Sequence, residues 1–173
     1  MHKRKINFLL NNQLITFLLA IYICGFIFGV FFKDKPIAVE LENTNKTFST
    51  FLNIFCMHYW YFFVIWLMGL CTIGFLINIL INFFRSFVFA VVISTVIKVS
   101  FRVFILLIIS EIIIFLPIFI YLLYLSTFLS ISNFLNVFSK KRILVPFNTK
   151  NYLNIMLFIT CMLIIYSIIL LVI

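Results

Sequence analysis

The sequence predicts an all-α protein, a polytopic transmembrane helical bundle of about five spans in one domain over residues 1–173. Hydrophobic residues make up 66% of the chain, the mean hydropathy is +1.30, and Asp and Glu together number 4. A water-soluble domain of this size could not bury so much apolar surface, whereas a lipid bilayer accommodates it. We therefore expect an integral protein of the cell membrane.

Basic residues give the chain a net charge of +9, from 13 Lys and Arg. They stand at the borders of the apolar runs and do not follow one polar face. This distribution is typical of contact with anionic lipid head groups and not of nucleic-acid binding, so we expect a bilayer containing anionic lipids as one partner and no nucleic acid.

Three spans follow directly from the lengths of the apolar runs. A helix needs about 20 residues to cross a hydrocarbon core of about 30 Å, and the runs 14–32, 59–81 and 152–173 reach that length. The first run is too long for a signal peptide and lacks a cleavage site with small residues. We expect it to be retained as a span.

The stretch between the second and last runs predicts two more spans, at about 83–100 and 101–127. The uncharged part of the third, 86–97, would rise only about 18 Å as a helix. This span therefore tilts, continues past Lys98, or re-enters the membrane without crossing. In the fourth span Pro117 lacks a backbone N–H, which predicts a kink near Ile113–Pro117.

Two connecting segments predict amphipathic helices lying on the membrane interface, because apolar residues recur there at helical spacing. These residues are Phe48, Phe51, Leu52 and Phe55 in the first segment, and Phe128, Ile131, Phe134, Leu135 and Phe138 in the second. Each segment either shields an end of the bundle or provides a docking surface for a partner helix.

The orientation follows from the basic residues that flank the spans. With five crossings and the amino terminus inside, eight Lys and Arg fall in inner segments, whereas five fall in outer ones, namely Lys33, Lys35, Lys46, Lys98 and Arg102. The excess predicts a cytoplasmic amino terminus and an external carboxyl terminus.

Glu111 is the only carboxylate within a predicted span, where an unpaired charge costs several kcal/mol. A functional interpretation makes it a proton or cation site, or a contact for a basic group of a partner. A structural interpretation makes it neutral, hydrogen-bonded between helices, or paired with Arg102. Both interpretations stay open at this point.

Small and polar residues form a stripe on one helical face of the second span and its continuation. They are Cys71, Gly74, Asn78, Asn82 and Arg85, at i, i+3, i+7, i+11 and i+14. We expect this face to be buried against other helices. The alternative is a polar pathway lined by Asn78, Asn82 and Glu111.

A second packing signal is the G-x-x-x-G pair of Gly25 and Gly29 in the first span. Small residues four apart permit close helix approach, either within the protein or between two copies in a homo-oligomer. His58 adjoins an aromatic group that marks the membrane interface, and we expect it to be interfacial as well.

No motif in the chain indicates an enzyme or a cofactor site. It lacks H-E-x-x-H, G-x-S-x-G and a phosphate-binding P-loop, and it lacks a pair of membrane aspartates. The cysteines form no C-x-x-C pair and no set with His that has metal-ligand spacing, so we expect no metal. The sequence favours a non-catalytic protein that acts through contacts.

The segment Ile65–Phe75 carries Trp66, Gly69 and Gly74, which match the second membrane stretch of a known family. The match continues through Arg85 and reaches Pro117. In these residues the chain resembles the stage II sporulation protein M family. It departs from the family pattern after Gly74, where Leu76 stands in place of the usual proline.

The resemblance implies one of two settings. The namesake is a membrane scaffold that recruits peptidoglycan hydrolases during engulfment in sporulation, for which 33–58 would be the capture segment. Short relatives stand beside transporter components in circular bacteriocin gene clusters and are associated with maturation, export or immunity. The compact length favours the second setting, with transporter subunits as partners. A small ion or solute carrier using Glu111 is the third hypothesis.

Overall fold

The computed structural model describes residues 2–32, 48–138 and 149–172, and the described chain consists of helices joined by short turns. The helices are α1 (His2–Phe31), α2 (Phe48–Leu70), α3 (Gly74–Val99), α4 (Phe101–Ser110), a π-helical segment (Glu111–Phe115), α5 (Leu116–Phe138) and α6 (Thr149–Val172). Five helical stretches are long and apolar enough to span a membrane: Asn12–Phe31, Phe48–Leu70, Gly74–Lys98, Phe101–Phe138 and Asn151–Leu171. The predicted all-α bundle is confirmed.

The first and third spans are parallel and in close contact. Asn82 Nδ2 donates to Leu18 O at 2.8 Å, and Ser86 Oγ donates to Tyr22 O. The two contacts are four residues apart on both helices, in the same order. The α1 and α3 helices therefore run in one direction.

Contacts between helices also give the directions of the remaining spans. Hydrogen bonds of Phe75 with Ser130 and of Asn78 with Ser126 make α3 antiparallel to α5. Four ring contacts give the remaining directions: His58 with Phe115, Phe62 with Phe119, His58 with Tyr166, and Trp66 with Tyr152. They make α2 parallel to α5 and antiparallel to α6. Successive spans thus reverse direction, and α1 and α6 point the same way.

The second span differs from the predicted run 59–81. Its helix begins at Phe48 and ends at Leu70, and a turn at Cys71–Ile73 separates it from α3. In this turn Cys71 N donates to Met68 O at 3.1 Å, and Gly74 N donates to Cys71 O at 3.3 Å. A Cβ at Gly74 would collide with the Met68 carbonyl, so the turn requires glycine there.

The two segments predicted to lie on the interface are helical but not separate helices. Phe48–Phe55 forms the first turns of α2, and Phe128–Phe138 forms the end of α5. Each segment is continuous with a span, and no turn separates the two. The expectation of independent interfacial helices is therefore wrong.

The predicted boundary between the third and fourth spans is confirmed. Ser100 is extended, with φ −153° and ψ 114°, and its Oγ accepts a hydrogen bond from Val103 N at 3.5 Å. The α3 helix has 26 residues, because 74–82 belong to it and not to the second span. At about 39 Å it is long enough for a full crossing.

The irregularity predicted ahead of Pro117 is present as a π-helical turn. Leu116 N donates to the carbonyl of Glu111, five residues back. A proline removes one helical hydrogen bond and crowds the preceding turn, and a π-turn adjusts the backbone ahead of it. The helix nevertheless continues, and the fourth span extends beyond the predicted 127 to Phe138.

Six of the thirteen Lys and Arg residues used for the predicted orientation lie outside the described residues, at 33–47 and 139–148, among them Lys33, Lys35 and Lys46. Arg85, one of the eight assigned to inner segments, lies within α3 instead. Lys98 and Arg102, which flank the turn at Ser100, are exposed. Which side of the bundle faces the cytoplasm stays a prediction.

Candidate functional site

The polar centre of the bundle is a buried ion pair between Arg85 of α3 and Glu111 of the π-helical segment. Arg85 Nη2 lies 2.9 Å from Glu111 Oε1 and 3.1 Å from Oε2, and the two side chains are 9% and 1% exposed. Tyr166 of α6 donates its hydroxyl to Oε2 at 2.7 Å. The carboxylate therefore joins three helical segments.

This partner differs from the one that the sequence suggested. Arg102 is exposed, whereas Arg85 reaches Glu111 because α3 and α4 reverse direction at Ser100. The pairing is consistent with the structural interpretation of Glu111, in which its carboxylate is paired with a basic residue inside the bundle. Charged hydrogen bonds in a low-dielectric interior are strong, and an unpaired member would be costly there.

The guanidinium of Arg85 also lies against aromatic rings. Its central carbon is 4.4 Å from the centroid of Phe115 and 5.7 Å from that of Phe89, within the range of cation–π attraction. Among the described residues, hydrogen bonds to Arg85 involve Nη2 and not Nε or Nη1. An arginine has five N–H groups, so the hydrogens on Nε and Nη1 remain available.

His58 stands in the middle of α2 beside the same rings. Its Nδ1 is 2.8 Å from Ile54 O, and because a carbonyl can only accept, Nδ1 carries the hydrogen. The ring contacts Phe115 and Tyr166 edge-on, at centroid distances of 5.7 and 5.3 Å. The predicted interfacial position is wrong, because α2 begins ten residues earlier, at Phe48.

A cavity of about 250 Å³ opens beside the ion pair. Its polar wall consists of His58, Arg85, Glu111 and Tyr166, and the remaining lining is mostly apolar. Three lining residues are also on the outer surface of the bundle, namely Met57, Val88 and Val92, which are 68%, 46% and 43% exposed. The mouth therefore lies between α2 and α3, within spans.

The polar stripe of α3 is buried from Gly74 onward, as its spacing predicts, while Cys71 is exposed in the turn. Asn78 Nδ2 donates to Ser126 Oγ at 2.7 Å, and Asn82 contacts α1 through Leu18. Neither asparagine lines the cavity that Glu111 lines. The structure thus places both in contacts between helices.

The predicted packing glycines lie at close helix contacts. A Cβ on Gly25 would be 2.5 Å from Phe83 O, and one on Gly29 would be 2.5 Å from Phe87 O. This G-x-x-x-G face is therefore occupied by α3 of the same chain. Gly69 of α2 lies against the hydroxyl of Tyr152, which would collide with any side chain there.

The residues behind the family resemblance have contacts of their own. Trp66 Nε1 donates to Tyr152 O at 3.3 Å, and Tyr152 Oη donates to Trp66 O at 2.8 Å. Trp66 and Gly69 thus form one contact between α2 and α6. Pro117 is exposed and is the second residue of α5, which follows the π-turn.

Sequence reasoning missed Tyr166 and the central position of His58. The signal that was available is a tyrosine hydroxyl in an apolar span, which needs a hydrogen-bond partner when buried. No spacing rule connects Tyr166 to Glu111, since 55 residues separate them. The described residues also contain no group of His, Cys, Asp and Glu that could hold a metal ion.

Neither a protein-family model, nor a curated protein, nor a solved structure matches this chain. The resemblance to the stage II sporulation protein M family therefore stays a prediction.

Proposed function

We propose that this protein is a non-catalytic membrane subunit that acts with a transporter in the maturation, export or immunity of a circular bacteriocin. The observation that supports it is the buried contact of Arg85, Glu111 and Tyr166. In this contact the charges of Arg85 and Glu111 neutralise each other. An ion or proton carrier depends on intramembrane charges that accept and release its cargo.

The bundle also offers a binding feature that a subunit of a complex can use. The cavity beside Arg85 has a mouth on the outer surface of the spans, so a membrane-embedded partner could reach it without passing through water. The bacteriocin setting itself depends on the resemblance of Trp66, Gly69, Gly74, Arg85 and Pro117 to the family.

Deletion of the gene tests this proposal. We expect the deletion strain to lose peptide secretion or tolerance to the peptide, and expression of the wild-type chain to restore it. The tagged protein should co-purify with a nucleotide-hydrolysing transporter subunit from detergent extracts. Normal secretion and tolerance in the deletion strain would reject the proposal.

A flux assay separates the carrier hypothesis from the proposed role. Liposomes containing this protein alone should show no more ion or peptide flux than empty liposomes, because Glu111 is held by Arg85. Flux that disappears on Glu111→Gln substitution would favour a carrier instead.

A further inference from the structure

The cavity beside Arg85 presents hydrogen-bond donors to the lipid-facing side of the bundle. We infer that it is a docking site for a transmembrane helix of a partner, one that carries a carboxamide side chain, Asn or Gln, at mid-membrane depth. This inference rests on the proposed function and names the chemistry of the partner that the subunit holds.

Arg85 has hydrogen-bonding capacity that the described chain does not use. The residue is 8% exposed and lines the cavity, and within the described chain its Nε and Nη1 make no hydrogen bond. Donors with no acceptor are costly in an apolar environment. An acceptor supplied from outside the chain would remove this cost.

The position of Arg85 along α3 restricts which groups can reach it. Arg85 lies eleven residues after Gly74 and fourteen before Val99, which correspond to about 17 and 21 Å along the helix. The ester carbonyls of lipids lie at the edges of a hydrocarbon core of about 30 Å. Acyl chains can fill the apolar part of the cavity but bring no acceptor to its polar wall, whereas a polypeptide side chain can.

The net charge of the site restricts the ligand to a neutral group. Arg85 and Glu111 already neutralise each other, so a ligand with a net charge would leave an uncompensated charge in the bilayer. A carboxamide is neutral, and its oxygen accepts from Arg85 while its NH₂ group can donate to Nε2 of His58, which lines the same cavity. Ser, Thr and Tyr hydroxyls also donate and accept, but from a single oxygen, whereas Asn and Gln do so from two separate atoms that can face Arg85 and His58 at the same time.

A second copy of this chain does not meet the requirement with its described residues. The exposed carboxamides among them are close to the ends of the spans, within about two turns, at Asn12, Gln13, Asn53, Asn136, Asn151 and Asn154. None of these described residues reaches the depth of Arg85. We therefore assign the site to a different polypeptide.

Synthetic transmembrane peptides test this inference. Two polyleucine helices with Lys at both ends, identical except for Asn or Leu at the centre, compete for the protein in lipid vesicles, and binding is measured by FRET. We expect the Asn peptide to bind about 3-fold more tightly, and at most roughly 20-fold, as interhelical hydrogen bonds in membranes do.

Variants of the protein show whether the cavity is responsible. Val88→Phe fills the mouth and should abolish the preference for Asn. Leu80→Phe, a change at another exposed position of α3 that does not line the cavity, should retain it. Arg85→Lys keeps a charge opposite Glu111 but offers fewer donors, and should reduce the preference. Circular dichroism and size-exclusion profiles establish that each variant is folded.

Equal binding of the two peptides would overturn the inference. A Val88→Phe protein that retains the preference for Asn would also overturn it. So would a Val88→Phe protein that loses a co-purifying phospholipid, because an acyl chain would then be the occupant of the cavity. Equal binding together with loss of secretion in the deletion strain would refute the docking site and leave the proposed function standing. A preference for Asn together with normal secretion in the deletion strain would support the docking site and reject the proposed function.

Discussion

Replacing one member of the Arg85–Glu111 pair should destabilise the bundle more than replacing both. Glu111→Leu leaves a guanidinium that cannot lose its proton, although the cavity lets it contact the outside. The cost of breaking a buried pair is about 3–5 kcal/mol, and insertion scales give about 2.5–3.5 kcal/mol for a lone charge. We expect about 3 kcal/mol, which is more than a hundredfold in the unfolding equilibrium.

The converse change, Arg85→Leu, should cost less, about 2 kcal/mol, because a carboxylate can take up a proton and Tyr166 still donates to it. In the double variant Arg85→Leu/Glu111→Leu no charge remains, and apolar replacement of a buried pair is often neutral. We therefore expect it to be within about 1 kcal/mol of the wild type.

The assay is equilibrium unfolding in mixed micelles with increasing SDS, followed by tryptophan fluorescence. Arg102→Leu is the matched control, because Arg102 is exposed, and its effect should be within about 0.5 kcal/mol. If the costs of the two single changes simply add in the double variant, the two side chains are not coupled and the reasoning from the ion pair fails.

Two further predictions concern packing and topology. Gly29→Leu should lower the free energy of unfolding by about 1–3 kcal/mol, because the new side chain would collide with Phe87 O. Ala20→Leu, on an exposed face of α1, is the control and should leave the free energy of unfolding nearly unchanged in the same assay. In a background without other cysteines, Phe101→Cys should react with a membrane-impermeant maleimide on intact cells, and Thr72→Cys only after permeabilisation. Labelling of both from one side would contradict the alternating helices, and the reverse pattern would contradict a cytoplasmic amino terminus.

Apolar length was a reliable guide to the number of spans but not to all of their bounds, because a bilayer requires about 20 apolar helical residues regardless of which helices are neighbours. Local chemistry was equally informative at Ser100, where the chain reverses, and at Pro117, which follows the π-turn. The turn at Cys71–Ile73 escaped prediction, since it contains no charge and no proline to interrupt the apolar pattern.

The sequence by itself determined that the chain is a helical membrane bundle, and that Gly74, Asn78, Asn82 and Arg85 share one small and polar helical face, although it assigned this face to the second span and not to α3. These properties depend on composition and on a period of 3.6 residues, which any helix shares. Only the tertiary structure decided that Arg85 neutralises Glu111, that Tyr166 completes the contact, and that His58 faces the same cavity. Such pairs join residues far apart in the chain, and their distances depend on how antiparallel helices align, which no local pattern encodes.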